Sequence, residues 1–306
     1  MIELRHLRYF IAVAEEGHLT RAAERLGIQQ PPLSQQIKAM EQELGVILFR
    51  RLPRGMQPTE AGLALLAEAR AILAHLDRAL ETARRVALGQ EGRIAIGFTS
   101  SAAFHPFVSA AIRGFREAAP QVALALEESS TGELVEALRA ERLDAAFIRS
   151  PVGEAADLVV EPLLDEEMQV AVPAGHPLAS GPGVIPLSAL AEIPFVLYRR
   201  PSGPGLYDSI IAACRAAGFS PRIAQEAPRM VSTLSLVEAG LGVSIVPASM
   251  CRLDTGGIAT LRLADRPALT APLHLARRGV EPLGATRRFI EHVRRMAAAL
   301  RSEGPA

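Results

Sequence analysis

Residues 27–45, GIQQPPLSQQIKAMEQELG, set two consecutive prolines directly ahead of an amphipathic run. Proline costs a helix interior about 3 kcal/mol but is tolerated in the first turn, where backbone N–H groups have no intrahelical partner. Pro31 and Pro32 therefore open a helix. Leu33, Ile37, Met40 and Leu44 recur at three- and four-residue spacing and form one buried stripe, and Gly45 supplies a left-handed stop. The outward side carries Gln30 at the entry, then Ser34, Gln35 and Lys38. A rigid first turn bearing amides, a hydroxyl and one cation suits contact with a polar surface such as the floor of a DNA groove.

Upstream, LTRAAERLG (residues 19–27) is a short helix with Thr20 as its N-cap, Ala22, Ala23 and Leu26 as its inner face and Gly27 as its stop. Residues 27–30 separate it from the second helix, the turn length of a helix-turn-helix whose second helix enters the major groove. LRHLRYFIAVAEEG places Leu4, Leu7, Phe10, Ile11 and Ala14 on one face of a third helix. Downstream, FRRLPRGMQPTEAG carries Arg50, Arg51 and Arg54 with no acid from residue 46 to 59, which reads as a basic wing beside phosphates. Taken alone, these arginines also suit a solvated loop.

The run LRHLRYFIAVAEEGHLTRAAERLGIQQPPLSQQIKAMEQELGVILFRR, followed by TEAG, resembles the DNA-binding region of LysR-type transcriptional regulators. The resemblance is specific over roughly the first sixty residues and looser over the rest of the chain. The start Gln30-Pro31-Pro32-Leu33-Ser34 is most similar to the branch that controls catabolism of aromatic compounds through muconate-type intermediates. That branch commonly has arginine after the serine, where this chain has Gln35. Glutamine bonds bidentately to adenine and arginine to guanine, so the base preference at this position stays open.

The resemblance implies an α+β fold: a winged helix-turn-helix (residues 1–58), a long coiled-coil linker helix (59–89) and a two-lobed α/β effector domain resembling periplasmic binding proteins (92–306). It also implies a homodimer or homotetramer on double-stranded promoter DNA at an inverted repeat. RNA polymerase stands as a further partner. The effector it implies is a small organic acid from aromatic degradation.

With 306 residues and 49% apolar composition, the chain supports a small domain plus a larger one. Lysine and arginine total 33, as do aspartate and glutamate, so DNA binding requires a local basic patch, for which the wing is the candidate. The apolar run at residues 9–14 is too short for a signal-peptide core, and no segment approaches the roughly 20 apolar residues of a membrane span. A cytoplasmic, soluble protein is expected. Cys214 and Cys251 lie 37 positions apart without metal-ligand spacing and read as ordinary thiols, and no motif calls for a metal or cofactor.

Residues 59–90 run without proline. Leu66, Leu73 and Leu80 repeat every seven residues, as do Ala69, Leu76 and Ala83, which together predict a heptad seam for a second copy of the helix. At 1.5 Å per residue, 30 residues span roughly 45 Å. A helix packed on its own chain fits the same pattern. GQEG (residues 89–92) then forms a hinge.

From Arg93 onward strands and helices alternate, which predicts parallel sheet with covering helices. Strands are expected at RIAIGF, VALALE, DAAFIR, MQVAVP, PFVLY, GVSIVP and LHLAR. Helices are expected near residues 104–118, 132–142, 206–217, 230–239 and 283–300. The resemblance places the first lobe at about 92–162 and 270–306 and the second at 163–269. Its crossovers fall near residues 161–166 and 265–272.

Ligands of open α/β sheets bind beyond the carboxyl ends of the strands. That rule selects Thr99, Ser100 and Ser101 in FTSSAAF, Ser130 and Thr131 in ESSTGEL, and Arg149 at the end of AAFIRS. In the second lobe it selects Pro204, Gly205 and Leu206 in RRPSGPGLYD, and Met230, Val231 and Ser232 in RMVSTLS. Hydroxyls and N–H groups at helix starts favour anions, and Arg149 adds a fixed cation. Serines and threonines at such turns also suit plain helix capping.

Other chemistry finds little support. Gly240 and Gly242 lack the third glycine of a dinucleotide fingerprint, since Ile245 stands there, and His105, His176 and His274 are scattered and read as structural. Two alternatives use the same two-lobed scaffold. A solute-binding protein for transport would lack the helix-turn-helix and carry an export signal, and a small-molecule enzyme would need a nucleophile or acid–base pair in these loops.

Overall fold

The computed structural model describes residues 1–53, 55–149, 157–252, 256–265 and 268–302. The chain divides into two compact units, Met1–Arg84 and Arg85–Ala306.

The first unit is built on α1 (Leu4–Glu16), α2 (Leu19–Leu26) and α3 (Gln30–Leu44), followed by the antiparallel hairpin β1 (Phe49–Leu52) and β2 (Gly55–Pro58). The long helix α4 (Glu60–Ala87) comes next. Pro31 and Pro32 occupy the first turn of α3; Leu33, Ile37 and Met40 are buried beneath it, and Gly45 closes it at φ 69°. Leu44, expected on the same stripe, is partly open because the core ends one turn earlier. Likewise α1 buries Leu7, Phe10, Ala12 and Val13, leaving Leu4 exposed.

The turn between α2 and α3 is residues 27–29, since Gln30 is already helical. The N-cap of α2 is His18 rather than Thr20: the helix begins at Leu19, and His18 Nδ1 accepts the N–H of Thr20 at 3.3 Å. Phe10 and Phe49 stack with ring centroids 5.2 Å apart, tying α1 to the hairpin. Thr59 caps α4 by accepting the N–H of Gly62 at 3.0 Å. Gly62 is required there, because a Cβ would collide with the carbonyl oxygen of Leu48.

In the second unit the order is β3 (Glu91–Phe98), α5 (Ser100–Ala103), α6 (Pro106–Ala118), β4 (Gln121–Glu128), α7 (Thr131–Arg139), β5 (Ala145–Ile148) and β6 (Leu158–Pro173). It continues with β7 (Val184–Ile185), β8 (Phe195–Tyr198), α8 (Pro204–Ala216), β9 (Ile223–Ala227) and α9 (Met230–Glu238). The last elements are β10 (Ser244–Pro247), β11 (Ile258–Leu263), β12 (Thr270–Arg278) and α10 (Gly284–Ser302). Strands β4, β3 and β5 run parallel, as βαβ connections require, and β12 joins β5 antiparallel.

The 16-residue strand β6 carries the sheet from one lobe into the other. Its residues 158–167 pair with β12, whereas residues 168–173 pair with β10 and β11. The pairing partner therefore changes at Glu167/Met168, just past the expected crossover. This strand starts ten residues before the expected MQVAVP because β12 supplies its hydrogen bonds. Pro162, which lacks an N–H, sits where the register shifts opposite Leu273/His274.

Among the described residues the first lobe packs on two apolar cores, one holding Phe107, Phe115, Phe147 and Phe289 and one under α7 holding Leu134, Leu138 and Leu143, and the second lobe on a third holding Phe195, Leu197, Ile210 and Val246. Helix α10 returns to the first lobe, with Phe289 5.2 Å from Phe115. The expected helix at 104–118 begins two residues later, because Pro106 opens α6 and His105 caps it, and the short helix α5 precedes it.

Candidate functional site

A cavity of ≈ 320 Å³ lies beyond the carboxyl ends of β3, β4 and β5 in one lobe and of β8 and β9 in the other. This is within the range of small-ligand sites. Thr99, Ser100 and Ser101 line it after β3, Thr131 after β4, Arg149 after β5 and Leu206 in α8. Thr99, Ser101, Thr131 and Arg149 are buried. Among the described residues, Thr99 Oγ1, Thr131 Oγ1 and Arg149 Nε have no hydrogen-bond partner. A buried polar group left unpaired costs about 1–3 kcal/mol, so three on residues that line one cavity mark a place where an external acceptor belongs.

The remaining nitrogens of Arg149 fix its position. Nη1 donates to the Ala271 carbonyl at 3.1 Å, and Nη2 donates to the Ser101 carbonyl at 3.0 Å and to Glu166 Oε1 at 2.6 Å. Burial lowers the Arg149 pKa while Glu166 opposes that shift, and a guanidinium stays charged in either case. Ser249 donates to the same Glu166 oxygen at 3.0 Å, which ties the second lobe to the pair.

His105 completes the cluster, with Nε2 3.5 Å from Glu166 Oε2. Its Nδ1 accepts the N–H of Phe107 at 3.1 Å, which assigns the proton of the neutral ring to Nε2. Burial first, then Arg149 and Arg252, push its pKa down from 6.5 to about 4. Between those values the unfolded chain holds the proton and the folded chain does not. Stability therefore falls as pH drops through that window, by about 2 kcal/mol at pH 5. Urea unfolding of His105→Asn, which keeps a capping acceptor but cannot titrate, is expected to lose this pH dependence. Equal dependence in the variant would contradict it.

Four predicted residues fall outside the cavity lining. Pro204 and Gly205 serve as the first residues of α8, and the first turn of α9 brings Met230 to the cavity as expected while Val231 and Ser232 lie off it, Val231 against the lobe core. In their place the second lobe contributes Tyr198, Pro201, Ser202, Gly203, Pro228 and Arg229, and the first, besides the expected Ser130, adds Ser129 and Glu133. Ser130 and Glu133 form a capping box on α7, and the backbone N–H of Ser130 holds the Glu133 pKa low. The strand-end rule points to Ser202 and Arg229 equally well, since they follow β8 and β9.

In the first unit, Pro31, Pro32, Gln35 and Lys38 are exposed on α3, with Gln30 and Ser34 half-buried beside them. Arg50 and Arg51 are exposed on β1, and Arg54 lies outside the described residues. Cys214 and Cys251 are free thiols, each raised to about 11 by burial. Among the described residues no group of three or more His, Cys, Asp or Glu side chains is placed to hold a metal ion. No described helix is long and apolar enough to cross a membrane.

A winged helix-turn-helix joined to a two-lobed, ligand-sized cleft defines a ligand-responsive DNA-binding protein. Residues 4–63 match the bacterial regulatory helix-turn-helix protein model of the lysR family, and residues 87–298 match the LysR substrate binding domain. The chain belongs to the LysR family: it is a DNA-binding transcriptional regulator with an effector-binding domain, not an enzyme.

Over 290 residues it is 39% identical to the HTH-type transcriptional regulator BudR of Raoultella terrigena, covering 95% of this chain and 99% of that one. It is 37% identical over 278 residues to CatR of Pseudomonas putida, covering 90% and 93%. The crystal structure of full-length CbnR complexed with its target DNA superposes with a TM-score of 0.82 at 30% identity, over 97% of this chain and 100% of that one.

Proposed function

We propose that this regulator senses a small organic acid in the cavity lined by Thr99, Ser100, Ser101, Thr131, Arg149 and Leu206. The observation that carries this reading is that Thr99, Thr131 and Arg149 line one cavity and each keeps a buried polar atom without a partner among the described residues. Two hydroxyl donors and a guanidinium N–H match a carboxylate, which accepts and does not donate. Leu206 and Met230 offer apolar surface to a hydrocarbon body.

An origin of the acid in aromatic degradation rests on the Gln30-Pro31-Pro32-Leu33-Ser34 motif, because identities of 39% and 37% do not separate one named regulator from another. Melting curves across small carboxylates and their uncharged amides test the reading. The fitting acid at 100 times its Kd stabilises by about 2.7 kcal/mol, and a response confined to uncharged compounds would sink it.

The same reading has α3 face an inverted repeat in promoter DNA, with Pro31, Pro32, Ser34, Gln35 and Lys38 toward the groove and Arg50 and Arg51 toward phosphates. The protein acts in the cytoplasm as a homodimer through α4 that pairs further into a tetramer. What supports the DNA face is that Gln35 and Lys38 stand exposed about one and about two helical turns from the rigid proline start. Gln35→Ala is expected to relax base preference at one position by about 1–3 kcal/mol. Binding measured on operators varied base by base checks this, and undiminished selectivity at every position would remove α3 from the recognition role.

A further inference from the structure

At the rim of the cavity a carboxylate of the chain itself sits where an effector's carboxylate would find donors. Glu128 ends β4 in the first lobe, and its Oε1 accepts two hydrogen bonds. One comes from Ser100 Oγ at 2.7 Å, in the same lobe; the other comes from Arg229 Nη1 at 2.8 Å, across the cleft at the start of α9. Ser100 and Arg229 both line the cavity. Arg229 also acts on Glu133, whose carboxylate it helps to keep ionised. Arg229 and Glu128 thus form a direct ion pair between the lobes at the cavity edge.

We propose that Glu128 is a resident competitor for the effector: its carboxylate latches the lobes through Ser100 and Arg229, and an incoming carboxylate takes over those two donors. The proposal rests on the carboxylate reading of the cavity. Electrostatics make the two occupancies exclusive. A second anion beside Glu128 is repelled, and the one hydroxyl proton of Ser100 cannot serve both carboxylates.

The latch has the strength a switch needs. The Arg229 side chain is 59% exposed and that of Glu128 39%. Pairs this open to water change an equilibrium by about fivefold at most, and salt weakens them further. An effector therefore displaces Glu128 at modest cost to its own affinity. Without an effector, the same contact holds the lobes in one arrangement. A ligand shifts a conformational equilibrium only through such a difference in contacts between the two states.

The test uses the full-length protein in two arms. In the first, acetate, benzoate and cis,cis-muconate are screened by melting temperature, and the strongest binder is titrated calorimetrically into the parent, Glu128→Ala, Arg229→Gln and Thr131→Val. Glu128→Ala is expected to bind about fivefold tighter and Arg229→Gln at least fivefold weaker. In the second, hydrogen exchange without ligand is expected to quicken in Glu128→Ala at the amides of residues 129–131 and 230–232.

Unchanged or weaker binding by Glu128→Ala overturns the competitor role, and unchanged exchange overturns the latch. Thr131→Val separates the two readings. If it binds the probe as the parent does, the carboxylate site itself is misplaced. If it loses the probe while Glu128→Ala matches the parent, only the latch fails. No binding by any of the three acids removes the carboxylate reading and this proposal with it.

Discussion

Thr99→Val and Thr131→Val, made together, are expected to abolish the response to effector without destabilising the ligand-free protein. Valine has nearly the shape of threonine, so neither change opens a cavity or forces a rotamer. Each removes a hydroxyl that is buried and unpaired in the folded chain. Deleting an unpaired buried group is neutral to stabilising, and a melting temperature unchanged to about 4 °C higher follows. With effector present the sign reverses. A hydrogen bond to a charged group contributes about 1.5–3 kcal/mol, so losing two weakens effector binding by at least 100-fold. Promoter binding is unaffected, because neither residue lies in the unit that carries α3. Calorimetric titration beside a gel-shift assay separates these outcomes. A double variant that responds like its parent, or that unfolds several degrees earlier, would mean the two hydroxyls serve the fold rather than the ligand.

How far the cavity was legible follows from what positions each side chain. Thr99, Ser101, Thr131 and Arg149 stand one or a few residues beyond strand ends that alternating apolar patterns reveal, so local sequence and the topology of parallel sheets suffice to find them. The second lobe is less legible: α9 begins at Met230 as expected, yet which side of its first turn faces the cavity is set by packing, which brings Met230 there and holds Val231 against the lobe core. Glu166 carries no local signal at all. It meets Arg149, Ser249 and His105 only because β6 passes through both lobes, and pairing with β12 from about a hundred residues away extends that strand.

The small domain shows the same division. Pro31, Pro32 and the glycines at 27 and 45 mark α3 unaided, since each acts through its own backbone. His18 as a cap was missed because histidine is not among the usual capping residues. The short edge strands β7 and β9 have too few residues for a pattern, and neighbours decide them; β11 is held between β6 and β7.

Replacing Leu73 and Leu80 with glutamate is expected to convert the protein to a monomer at micromolar concentration. Helix α4 buries Ala69 in the first unit and packs Leu65 and Leu66 partly against the same core. Beyond that point its apolar residues are uncovered within the chain: Ile72 is 45% exposed and Leu80 49%, with Leu73 and Leu76 half-buried between them. An apolar stripe at heptad spacing on a charged helix is stable in water when a second copy covers it. Fully burying one leucine contributes about 1.5–3 kcal/mol, and in a dimer Leu73 and Leu80 count twice. Glutamate at these positions forfeits that burial and places like charges in an apolar seam, which costs several kcal/mol more. Ala74→Glu, on the exposed side of the same helix, is the control and stays dimeric. Sedimentation velocity of the three proteins reads the result directly. The consequence on DNA is larger than the change in any one contact, because a dimer holds its second recognition helix near the second half-site at roughly millimolar effective concentration. The monomeric variant is therefore expected to lose on the order of 100-fold or more in affinity for the inverted repeat, while a single half-site is bound as before. A double variant that still sediments with the parent would move the dimer contact away from α4.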